Sequence, residues 1–143
     1  MKLSLEAREG GTFVFVRGVD VVKIQHRAIQ PVFDFAIAGN RALQTARSMR
    51  DGAAEGAALG FQPPTGTAEW SAGDWEVFAA RLVQAELLAL VATGWEGVSG
   101  TDGAAFPFGR DAARTLMCRN DDLYAAWCAY VAAATVEANE GNA

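Results

Sequence analysis

The chain has 143 residues, is 51% hydrophobic and carries a formal charge of −5 with a pI near 4.8. That length fits one domain with a real core. The acidic balance argues against nucleic acid or an anionic membrane as the main partner, because both demand basic patches.

Residues 2–8 alternate, with Leu3, Leu5 and Ala7 on one face and Lys2, Ser4, Glu6 and Arg8 on the other. Residues 12–17, Thr-Phe-Val-Phe-Val-Arg, are β-branched and aromatic, and Gly10-Gly11 lies between the two runs. A Gly-Gly pair between strand patterns predicts a β-hairpin over residues 1–18. A lone hairpin is marginal in water, so it must pack on helices or on another subunit. Asp20 can cap a helix reaching Gln30, although Val21-Val22-Lys23-Ile24 equally fits a strand. Pro31 is placed to open a helix at its first position. Val32, Phe33, Phe35, Ala36, Ile37, Ala42 and Leu43 supply that helix's apolar positions.

Residues 51–70 hold Gly52, Gly56, Gly60, Gly66 and Pro63-Pro64, which predicts a loop with a short helical turn near 53–59. Phe61 is its anchor to the core. Residues 71–93 form the strongest helical pattern. Ser71 and Asp74 fit a capping box, and Trp75, Phe78, Leu82 and Ala85 repeat at helical spacing beside Ala79, Val83 and Leu87. So wide an apolar surface predicts a central helix, with Gly94 expected to stop it. A loop over 94–110 follows. Residues 111–119 read as a short helix, Asn120-Asp121-Asp122 as a break capped by Asp121, and residues up to 139 as a final helix with Leu123, Trp127 and Val131 inward. The expected fold is mainly α: a single small helical domain with an N-terminal β-hairpin.

The chemistry-bearing residues are sparse. His26 is the lone histidine, and a dyad with Cys118 or Cys128 has no recognisable nucleophile context, so packing is the plainer reading. On one helix the two cysteines would stand about 15 Å apart, too far to bridge. Glu96, Asp102, Asp111, Asp121 and Asp122 gather around the 94–110 loop in sequence, but acid–base or metal work needs convergence in a pocket. Asp102-Gly103 reads as a tight turn rather than a calcium loop. No catalytic, cofactor or metal residue is expected, and the reading is of a non-enzyme. Trp95, Phe106 and Phe108 either fold back onto the core or form an aromatic patch. Pro107 keeps Phe106 extended, so Phe106 and Phe108 are expected to point to opposite sides, one inward and one toward a partner.

The run Gly94-Trp-Glu-Gly-Val98, then Asp102-Gly103, then Phe106-Pro-Phe108 before a short helix, resembles the central motif of tail assembly chaperones of long-tailed bacteriophages. The specific match spans about 15 residues, and the helical layout extends it over most of the chain. The resemblance implies a protein of the host bacterial cytoplasm that binds the tape measure protein and helps tail tube protein polymerise around it. Such chaperones are mostly helical, are often also made as a longer frameshifted product, and are absent from the finished particle. Candidate partner contacts are Trp95, Glu96, Phe106, Pro107 and Phe108, with a homo-oligomer a further possibility. A structural tail or neck protein retained in the particle is the alternative.

Overall fold

A computed structural model describes residues 10–48, 52–62, 70–100 and 102–141. In chain order these form β1 (Gly11–Arg17), β2 (Asp20–His26), α1 (Pro31–Ser48), α2 (Gly52–Ala58), α3 (Ala72–Val91), β3 (Ala92–Glu96), α4 (Arg110–Arg119) and α5 (Asp121–Gly141). The fold is mainly α with an antiparallel sheet in the order β1-β2-β3.

The hairpin exists, but one element later than the glycine pair implies. Gly11 is already in β1, opposite His26, and the turn is made by Gly18 and Val19, with Gly18 at φ +60°. A glycine at positive φ in the first of two turn positions matches the twist of the flanking strands. The expected strand over 2–8 lies outside the described residues. The helix expected from Asp20 to Gln30 is instead β2, so the β-branched run Val21-Val22-Lys23-Ile24 wins over the capping signal of Asp20. The glycine pair has another role: a methyl group on Gly10 would lie 1.7 Å from the carbonyl oxygen of His26.

Pro31 opens α1 as expected. Ser71 caps α3, its hydroxyl accepting from the Asp74 amide at 3.2 Å while the Asp74 carboxylate accepts from the Ser71 amide at 2.9 Å. From Arg81 to Leu88 this helix is buried or half-buried at every position. It lies between α1 on one side and α4 on the other. Gly94 does not end it. The helix stops at Val91, whose carbonyl accepts from the Arg27 amide at 2.9 Å, and Ala92 turns straight into an extended strand. Gly94 sits inside β3 opposite Gln25.

The main core joins Phe13 and Ile24 of the sheet to Leu87, Leu88 and Val91 of α3, Met117 of α4, and Leu123, Trp127 and Val131 of α5. The Phe13 and Trp127 rings meet edge to face at 5.3 Å, a favoured aromatic geometry. A second cluster gathers Phe61, Phe78, Leu82 and Cys118, with Trp70 packed against it. Phe61 thus anchors the segment after α2, as the sequence implies.

Candidate functional site

The resembling stretch folds as a built element. Its first part is β3, where Trp95 pairs with Ile24 and Glu96 with Lys23. Trp95 therefore shares the core-facing side of the sheet with Ile24, and Glu96 takes the outer side with Lys23. Gly97, at φ +84°, turns the chain away from the sheet. The chain then folds back on itself: Ser99 bridges Ala105, the Gly100 amide donates to Ala104 at 2.9 Å, and the Phe106 amide donates to Val98 at 2.8 Å. The Asp-Gly turn behaves as its chemistry dictates. Asp102 Oδ1 accepts from the Ala104 amide at 3.0 Å, and Gly103 adopts φ +79°.

Trp95 locks this small hairpin to the sheet. Its indole Nε1 donates to the Phe106 carbonyl at 2.7 Å, and its ring meets that of Phe108 edge to face at 5.1 Å. Phe108 is half-buried, whereas Phe106 remains 43% exposed beside exposed Pro107. Glu96 is exposed and accepts from Gln25 Nε2 at 3.3 Å. Of the candidate contacts, Trp95 and Phe108 pack together, while Glu96, Phe106 and Pro107 face solvent.

Beneath the hairpin lies a cleft of about 210 Å³, lined by Phe15, Arg17, Asp20, Val98, Leu116 and Asn120. It is smaller than the roughly 300 Å³ at which drug-sized ligand pockets begin. Arg17 closes one end by donating to both Asp122 carboxylate oxygens and to Asn120 Oδ1. The Arg17 hydrogen bonds hold the Asp122 carboxyl below its usual range.

The remaining ionisable groups tie elements together. Glu86, with no side-chain exposure, accepts from Arg110 Nε at 2.8 Å and from Arg114 Nη2 at 2.9 Å. Arg114 also donates to Thr45 and Asp111, so one buried carboxylate knits α3 to α4 and, through Arg114, to α1. Asp34 is buried and accepts from both Arg27 terminal nitrogens at 2.8 and 2.9 Å and from the Gln30 amide at 2.7 Å. Burial pushes its carboxyl up, but the Arg27 and Gln30 hydrogen bonds outweigh that and hold it below the ordinary value. Arg81 donates to the Met117 carbonyl and to Asp121, and lies 4.1 Å above the Tyr124 ring.

His26 Nδ1 donates to the Arg27 carbonyl at 2.7 Å, which leaves Nε2 to accept from the Tyr130 hydroxyl when the ring is neutral. It packs in the aromatic cluster with Trp127. Cys118 and Cys128 are free thiols on different helices, and burial pushes Cys118 up to about 11, a value that leaves the thiol protonated and unreactive. Among the described residues, no three His, Cys, Asp or Glu side chains gather in a metal-sized cluster, and no helix is long and apolar enough to cross a membrane.

One surface runs against the sequence pattern. The buried side of α1 is built from Asp34, Ala38 and Ala42. Val32, Phe33, Ile37 and Leu43, which read as core positions, face solvent with exposures of 79%, 69%, 40% and 49%. Close packing of α1 on α3 needs small residues at the contact, which displaces the large ones outward. The run of alternating large and small apolar residues held that information, but the side turned to α3 is set by the tertiary fold.

Comparison with known proteins adds no relative: no protein-family model, curated protein or solved structure matches the chain.

Proposed function

We propose that this chain is a phage tail assembly chaperone, acting in the host bacterial cytoplasm to hold the tape measure protein and assist polymerisation of tail tube protein. The observation that supports the reading is that the resembling stretch forms a pinned hairpin with Phe106 and Pro107 facing solvent and Trp95 and Phe108 holding it from behind. An aromatic residue presented on a rigid mount makes a good partner anchor, because little freedom is lost on binding. The apolar side chains left at the surface fit a protein that covers the apolar length of another chain. The acidic balance keeps such a carrier soluble.

The alternative, a structural tail or neck protein, draws on a different observation. Among the described residues β1 is an edge strand, and an open edge accepts a strand from a neighbouring subunit.

Two measurements decide between them. Co-expression with the very long tape measure protein should keep that protein soluble, and Phe106→Ala should reduce the effect without unfolding the chain. Mass spectrometry of purified particles should find none of the chain. A fixed copy number in the particle makes it a structural protein instead, and failure to solubilise the tape measure protein removes the chaperone reading.

A further inference from the structure

The cleft beneath the small hairpin is a contact site of a different kind from exposed Phe106. Its apolar walls are Phe15 and Val22 of the sheet, Val98 just after β3, Leu116 of α4 and Leu123 of α5. Leu116 and Leu123 belong to the main core, and Phe15, Val22 and Val98 are half-buried at its margin. The space between them, about 210 Å³, is too small for a drug-sized ligand and suits a single inserted side chain.

Charge selects that side chain. The polar lining is Arg17, Asp20, Ser99 and Asn120. Arg17 commits its Nε and Nη2 to Asp122 and Asn120, so an incoming carboxylate would have to displace Asp122. Asp20 stands opposite Arg17 across the β1–β2 turn and is exposed. Among the described residues its carboxylate is not engaged by a hydrogen bond or a salt bridge, and it acts on Arg17 only through longer-range attraction. Arg17, Asp20 and Asp122 together leave a net negative charge at the opening, in a chain whose net charge is −5. A lysine meets both requirements, with a long aliphatic stem for the walls and a compact ammonium for Asp20. We propose that this cleft receives a lysine side chain of another protein, its stem against Phe15, Val22 and Leu123 and its ammonium at Asp20. A second copy of this chain is a poor source, because two chains of this charge repel each other. The inference does not depend on the tail reading, because it names the chemistry of the partner and not its identity.

The test uses the full chain and three blocked amino acids as probes: the Nα-acetyl amides of lysine, norleucine and glutamate. Norleucine keeps the stem of lysine without its charge. In methyl nuclear magnetic resonance spectra the lysine probe should shift Val22, Val98, Leu116 and Leu123 saturably. It should bind at least about threefold more tightly than the norleucine probe, as expected for one partly exposed ion pair, with the advantage shrinking as salt is raised. Asp20→Asn should bring the lysine probe down to the norleucine level and leave the norleucine probe unchanged, since Asp20 is exposed at the start of β2. Equal binding of lysine and norleucine would make the occupant a plain apolar side chain and overturns the proposal. Tighter binding of the glutamate probe overturns it in favour of an anion at Arg17. Absent or unsaturable shifts overturn it too, as does a dimer in sedimentation that Asp20→Asn dissolves.

Discussion

Gly97 faces the carbonyl of Val21 so closely that a methyl group added to it would lie 2.0 Å from that oxygen. Its φ of +84° is also unfavourable for any side chain. Gly97→Ala therefore meets a backbone clash and a strained dihedral together, and should cost at least about 3 kcal/mol. Gly94→Ala, three residues earlier in the same motif, meets only Gln25 Oε1 at 3.8 Å. It should cost no more than about 1 kcal/mol, or even stabilise the strand. Urea unfolding of the two variants, side by side, checks the contrast.

Trp95→Phe keeps a ring beside Phe108 but removes the indole donor to the Phe106 carbonyl. The expected loss is about 1 kcal/mol. It should appear locally first, as faster hydrogen exchange at the Phe106 and Gly100 amides, which close the small hairpin. Exchange within α3 should change far less.

The three side chains of the Glu86 network should rank by burial. Glu86→Gln removes the charge facing two guanidinium groups and should destabilise by about 3 kcal/mol. Arg114→Ala, with 18% side-chain exposure, should cost less, and Arg110→Ala, with 47%, should fall below about 1 kcal/mol. Thermal unfolding of the three single variants gives the order.

The Asp34 carboxyl is held below its ordinary value in the folded chain, so the unfolded chain takes up this proton first as acid is added. Its stabilising contribution is complete above about pH 5 and is lost as pH falls through the folded value. Asp34→Asn should cost about 1–3 kcal/mol at neutral pH. The gap between variant and parent should narrow as pH drops below about 4. Denaturant unfolding at pH 7 and pH 3 measures both limbs.

The elements legible in the sequence are those whose signals are local. Ser71 and Asp74 fix the start of α3, Pro31 starts α1, and the spacing of Leu123, Trp127 and Val131 gives the buried stripe of α5. Phe61 was legible as an anchor because it is the one aromatic residue between α2 and the proline pair. The turn of the hairpin was less so: Gly10-Gly11 and Gly18 are both plausible punctuation, and only the pairing of β2 with β3 decides between them. Since β3 comes after α3, that partner is invisible to any window centred on residues 10–26. The same reason explains Gly94, whose role changes from helix stop to strand residue once a neighbouring strand is available. That Phe106 and Phe108 take different sides was legible from Pro107, but which of them faces solvent was not. The buried charges were not, because Glu86 and Asp34 find their arginines through α4 and the segment before α1.

Phe13 and Trp127, in contact in the core, leave the ribosome far apart in time. β1 and β2 are made before the helices that cover them, and their inner face, with Phe13 and Ile24, has no cover from α5 until Leu123, Trp127 and Val131 have been translated. A hairpin alone is too weak to hold that face closed, so the growing chain must carry exposed apolar surface until α5 is made. Messages truncated after α4 should yield a product that aggregates or is degraded, and a synonymous slowing of translation before α5 should lower the yield of folded protein.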